Sequence, residues 1–163
     1  MSNRIQGDLR VIGTITADNN VPSDGSVTDA KIAAAAAISV DKINHQHFKS
    51  HSQPNTTATT ETRILHVARS AGTVDEFAAG SIGIAVGAAT VTVDLKKNGS
   101  SILSAVITLD TGNTTRVVET GTISGGTYAA DDWFETIITA TAGGGTLQTG
   151  VFVQGIFSEG PLP

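Results

Sequence analysis

Apolar and polar positions alternate most regularly in the C-terminal part of the chain. Val91, Val93 and Leu95 are interleaved with Thr90, Thr92 and Asp94, the period of two that a half-buried strand requires. The runs TRILHVA, SIGIAV, ATVTVDLKK, SILSAVITL, TTRVVET, WFETIITATA and LQTGVFVQGIF read as strands. Turn signals separate them: Asn98-Gly99 is a strong two-residue hairpin pair, followed by Thr111-Gly112-Asn113, Ser124-Gly125-Gly126 and Gly143-Gly144-Gly145. Short, closely spaced strands with no intervening helix predict an all-β domain over 61–163, an antiparallel β-sandwich with jelly-roll-like topology.

Two other textures precede it. Residues 1–20 carry short apolar bursts, with Ile5, Leu9, Val11, Ile12 and Ile15 punctuated by Gly7 and Gly13. Such pieces cannot bury a face alone, so they predict an extended N-terminal arm that needs a partner surface. Residues 21–60 contain VTDAKIAAAAAISVDKI, in which Thr28 and Ser39 are good N-cap residues with Asp29 and Asp41 in the turns that follow. This predicts short helical turns flanking the alanine run, with a frayed surface helix as the alternative. The polar stretch HSQPNTTATTET after it reads as a linker.

Composition narrows the function classes. Hydrophobic residues make up 39% of the 163 but aromatics only 4%, so a single copy buries modest apolar area and association between copies is expected. Ten basic residues against fifteen acids leave a net charge of −5, and no basic run appears, which argues against a nucleic-acid partner. Absence of cysteine excludes disulfides, thiolate metal sites and thiol nucleophiles. The start MSNRIQGDLRVIG lacks a signal-peptide core, and IAAAAAI is too short to span a bilayer. A chain made in the cytoplasm, with no membrane partner, is expected.

Candidate chemistry is sparse. The chain has no nucleophile elbow, phosphate loop or dinucleotide fingerprint, so an enzyme is not expected and no catalytic residue is assigned. Gly143–Gly145 lies between two strands and reads as a hairpin turn. Asp131 and Asp132 are the best carboxylate pair, but neighbouring residues point apart, and a turn with one solvated acid and one backbone-bonded acid is the simpler reading. Trp133 reads as a core anchor, with a sugar-stacking platform as the alternative. His66 reads as a structural strand histidine. The other three histidines, His45, His47 and His51, crowd into INHQHFKSHSQP.

The segments RIQGDLRVIGTITA, VTDAKIAAAAAISVDKINHQHF, VTVDLKKNGSSILSAVITLD and GGTYAADDWFETIITATAGGGTLQTGVFVQGIF together resemble small virion proteins of tailed bacteriophages. The similarity is to head-decoration (cement), head-fibre and fibre-type chains, and it covers essentially the whole length. It implies a homotrimer located on the virion, at the capsid surface, after synthesis in the host cytoplasm, with the major capsid protein as partner. On that reading Ala33, Ala34 and Ala37 become candidates for close approach around the trimer axis.

The resemblance also sharpens the histidine cluster. If extended, His45 and His47 point the same way, and three copies would offer two imidazoles each to an octahedral transition metal such as iron or nickel at the axis. His45, His47 and His51 of one chain holding zinc is a rival, and linker histidines with no metal, hence no required cofactor, are the third reading. Two functions follow. One is a capsid-decorating protein that attaches through Ile5, Leu9, Val11 and Ile15 and stabilises the head. The other is a head-fibre or tail-fibre protein recognising a host glycan.

Overall fold

The computed structural model describes residues 44–161. The arm residues Ile5, Leu9, Val11 and Ile15, the helical turns, and Ala33, Ala34 and Ala37 lie outside the described residues.

The described chain is all β. Its strands are β1 (His45–Ser52), β2 (Glu61–Val67), β3 (Gly72–Gly83), β4 (Thr90–Lys97), β5 (Ser100–Ser101), β6 (Ile107–Leu109), β7 (Val118–Thr120), β8 (Thr127–Tyr128), β9 (Trp133–Thr141) and β10 (Thr149–Glu159). They form two antiparallel sheets. One runs β1-β10-β3-β7 with β8 also on β3; the other runs β2-β9-β4-β5 with β6 also on β4. The first strand thus pairs with the last, β2 with β9, β3 with β7 and β8, and β4 with β5 and β6. That nesting is a double ribbon rolled up on itself, the expected jelly-roll sandwich.

Local chemistry fixes the turns. Asn98 and Gly99 both take positive φ, 50° and 82°, the two left-handed positions of the tight hairpin turn predicted between β4 and β5. Asp131 is also left-handed at φ 67°, and Asp132 Oδ2 accepts from the Ala129 N–H at 2.9 Å while Oδ1 accepts from Asn98 Nδ2 at 2.6 Å. The acidic pair is therefore the turn that the sequence suggested.

Between the sheets, alternation supplies the core. Val91, Val93 and Leu95 of β4, Phe134 and Ile138 of β9, and Val151, Val153 and Phe157 of β10 are buried, joined by Phe77 of β3 and Leu109 of β6. The Phe134 and Phe157 rings meet edge to face at 5.0 Å, and Tyr128 meets Phe134 at 5.1 Å, a favourable geometry for aromatic pairs.

Three expectations are corrected. The sandwich starts earlier than residue 61, because 45–52, expected as polar linker, form β1 and pair residue for residue with β10 from His45↔Glu159 to Ser52↔Phe152. Polar side chains on its inward face hid the strand. β3 begins at Gly72 rather than near Ser81; its stretch from Phe77 to Ser81 is buried on both faces, so no alternation marks it. Trp133 is not a core anchor. Phe134 occupies the inward position on β9, which turns Trp133 outward and leaves it half-buried.

Phe134→Ala should therefore lower the unfolding free energy by about 3–5 kcal/mol, read from a denaturant titration. Trp133→Ala should cost clearly less. The reverse order would place the core on the wrong face of β9.

Candidate functional site at the β1–β2 flank

β1 is the outer strand of one sheet and β2 of the other, so together they form one flank of the sandwich. The inward side of β1 carries His45, His47, Lys49 and His51, all partly buried. Edge strands commonly carry inward charge, which discourages pairing with foreign strands. Here each of two histidines also meets a carboxylate.

At one end of the flank lies Glu159, only 1% exposed. It is carried inward by the alternation of β10. His66 Nε2 approaches its Oε1 at 2.6 Å; a carboxylate only accepts, so the imidazole donates through Nε2–H. The Arg69 N–H donates to both oxygens at 3.3 and 3.4 Å. His47 Nε2 is buried 3.6 Å from Oε2, beyond hydrogen-bond range. The His47 and His66 rings lie 5.5 Å apart, His45 and His47 also 5.5 Å, and His66 packs on Phe157 at 4.7 Å. Tyr128 caps the cluster, its hydroxyl donating to the Ser158 carbonyl at 3.0 Å.

Burial pushes the His66 imidazole below its ordinary value, and the Glu159 carboxylate only partly offsets this. Burial pushes the Glu159 carboxyl up, but hydrogen bonds from His66 and the Arg69 N–H and the nearby imidazole charges outweigh it and hold it below the ordinary value. Burial pushes the Tyr128 hydroxyl up, and the Glu159 and Asp75 charges push it further.

At the other end, Glu61 gathers three partners. His51 Nε2 lies 2.7 Å from its Oε1, Gln53 Nε2 donates to the same oxygen at 2.9 Å, and Arg63 Nε donates to Oε2 at 2.9 Å. Burial raises the Glu61 carboxyl, and these bonds outweigh it, leaving it lowered. Gln53 also donates to the Thr59 carbonyl at 2.7 Å, so the β1–β2 connection is tied to the same carboxylate.

His45 and His47 do share one side of an extended strand, as their spacing predicts, but His47 is turned to His66 and Glu159. His51 is four residues further along β1, roughly 13 Å at strand spacing, and belongs to Glu61. Among the described residues no group of three or more His, Asp or Glu is arranged to hold a metal ion, so the three histidines do not converge on zinc within one chain. Trp133 lies on the outer face of the second sheet beside Val67, its cross-strand partner. Away from the flank, an open groove between β6 and β7 is lined by Ser104, Val106, Thr108, Glu119 and Thr122, and Glu119 there accepts from Asn113 Nδ2 at 2.8 Å.

The Glu159 cluster was missed in the sequence, although a signal existed. Alternation through Val151, Val153 and Phe157 places Glu159 inward, and a carboxylate at an inward position requires a partner.

Both shifts at this cluster have one sign. A histidine whose folded value is lowered stabilises the fold fully above the ordinary value of 6.5 and loses that contribution as pH falls. A carboxyl lowered from 4.5 does the same below 4.5. Thermal midpoints should therefore fall on acidification, first below pH 6.5 and again below 4.5, and His66→Gln should flatten the first limb. A first limb unchanged in that variant would contradict the assignment.

No family model matches the chain, and no curated protein matches it in sequence. Among solved structures it is similar to a chain in the structure of turnip yellow mosaic virus at 100 K, with 10% identity and a TM-score of 0.34 over 74% of this chain and 96% of that one.

Proposed function

We propose that this chain is a virion structural protein, a homotrimeric decoration (cement) protein of a tailed-bacteriophage head. The observation that carries the reading is the placement of exposed apolar side chains. Phe48, Ile64 and Val67 are 62%, 61% and 48% exposed and gather at one flank of an otherwise well-packed sandwich. A subunit built to contact other chains needs such a surface, and the sequence likeness to head-decoration proteins supports the same use. Jelly rolls serve in capsids and in lectins alike, so the fold by itself decides nothing.

In this reading residues 1–20 lie along the major capsid protein. Ile5, Leu9, Val11 and Ile15 supply apolar contacts worth about 1.5–3 kcal/mol each when fully buried. The sandwich projects outward, and each trimer bridges neighbouring capsomers against internal pressure. An axial iron or nickel ion would draw on His45 and His47 of each copy and would have to compete with Glu159 for His47.

A second reading is a head-fibre or tail-fibre protein that recognises a host glycan. The half-exposed Trp133 favours it, since an aromatic face can stack on a sugar ring. On that reading Trp133→Ala abolishes binding to host-surface glycan.

Deleting residues 1–20 should reduce cosedimentation with empty heads to background while leaving the thermal midpoint of the sandwich unchanged. Full binding by the truncated chain would sink the decoration reading.

A further inference from the structure

The two outer faces of the sandwich expose different surfaces beside the same flank. On the first sheet, Phe48 of β1 stands across the ladder from Ile156 of β10, and Ile156 stands across from Glu76 of β3. A bulge between Ile156 and Phe157 adds Asp75 to that side, where it accepts from Gln46 Nε2 at 3.2 Å. This margin is apolar at the edge and acidic two strands in. On the second sheet, Ile64 and Val67 of β2 neighbour Trp133 and Ile137 of β9, both partly exposed. Two strands in, Lys96 stands opposite Glu135, and the exposed Arg69 follows Val67. This margin is apolar at the edge with basic groups at its rim.

A contact of the first margin with its own copy would set Asp75 and Glu76 against Asp75 and Glu76, and like charges across an interface are costly. A contact of the first margin with the second sets Phe48 and Ile156 against Ile64, Val67 and Trp133, and the acids toward Lys96 and Arg69. We propose that the Phe48 margin of one copy packs on the Ile64–Trp133 margin of the next. Such a contact is head-to-tail, and repeated around an axis it closes into a ring. Both margins border one edge, so the chains meet around the β1–β2 flank, whereas stacking of whole faces would build an open filament. The number of copies, three, rests on the trimer reading above; the pairing of the margins does not.

Phe48 and Ile64 are both more than half exposed, so they can be changed without disturbing the core. In the full-length chain, Phe48→Lys places a cation opposite the basic margin, and Ile64→Glu places an acid opposite the acidic one. Light scattering after size exclusion should give three chains for the wild type and one for each variant, with unchanged far-ultraviolet circular dichroism. An equimolar mixture of the two variants should regain assemblies containing both, because each retains the margin that the other lacks. A wild-type trimer that survives both changes overturns this surface and leaves the trimer reading standing. Self-association by either variant alone overturns the head-to-tail pairing. A wild-type monomer overturns both, including one in which residues 1–43 cover these margins.

Discussion

The sandwich depends on its last strand. β10 lies between β1 and β3 and pairs with both along nearly its whole length. Its inward residues Val151, Val153 and Phe157 belong to the core, while its end carries Glu159 to the point where His66 of the opposite sheet can reach it. Its outward Ile156 completes the margin that begins at Phe48. β1 brings no large apolar side chain inward, so it is held by its ladder to β10 and by carboxylates. The two strands are separated by most of the described chain, and such long-range pairing closes late in folding because its loop entropy must be met first.

The flank is therefore polar inside and apolar outside, the reverse of an ordinary half-buried strand. Inward, His45, His47, Lys49 and His51 face acids that satisfy some of them, and this polarity keeps an open edge from recruiting foreign strands. Outward, Phe48 on one sheet and Ile64 and Val67 on the other remain exposed. A strand of this kind contributes little to the core of its own chain. Its side-chain pattern is explained better by what meets it from outside.

Much of the fold was legible because much of it alternates. β4, β9 and β10 follow a clean period of two, and Asn98-Gly99 marks its hairpin by the left-handed backbone that only a few residues accept easily. Legibility failed where the pattern carries no apolar contrast. β1 was hidden by its inward histidines, and β3 by Ala78, Ala79 and Gly80, small residues buried on both faces. Gly80 is required there because Phe152 lies over it: a Cβ would come within 2.6 Å of that ring. Trp133 was misplaced because size suggested the core, while the pleat had already assigned Phe134 to that side. His45 and His47 were correctly read as sharing a face, but their neighbour Glu159 lies more than a hundred residues away in sequence, and spacing alone does not reveal such a partner.

The central claim is that this sandwich is one sector of a closed assembly, joined at the β1–β2 flank. The most direct test is native mass spectrometry of the unmodified full-length protein, with elemental analysis of the same sample. The account predicts a mass of three chains; an iron or nickel ion at one per trimer would add the axial histidines to the assembly. A single-chain mass at micromolar concentration would contradict it.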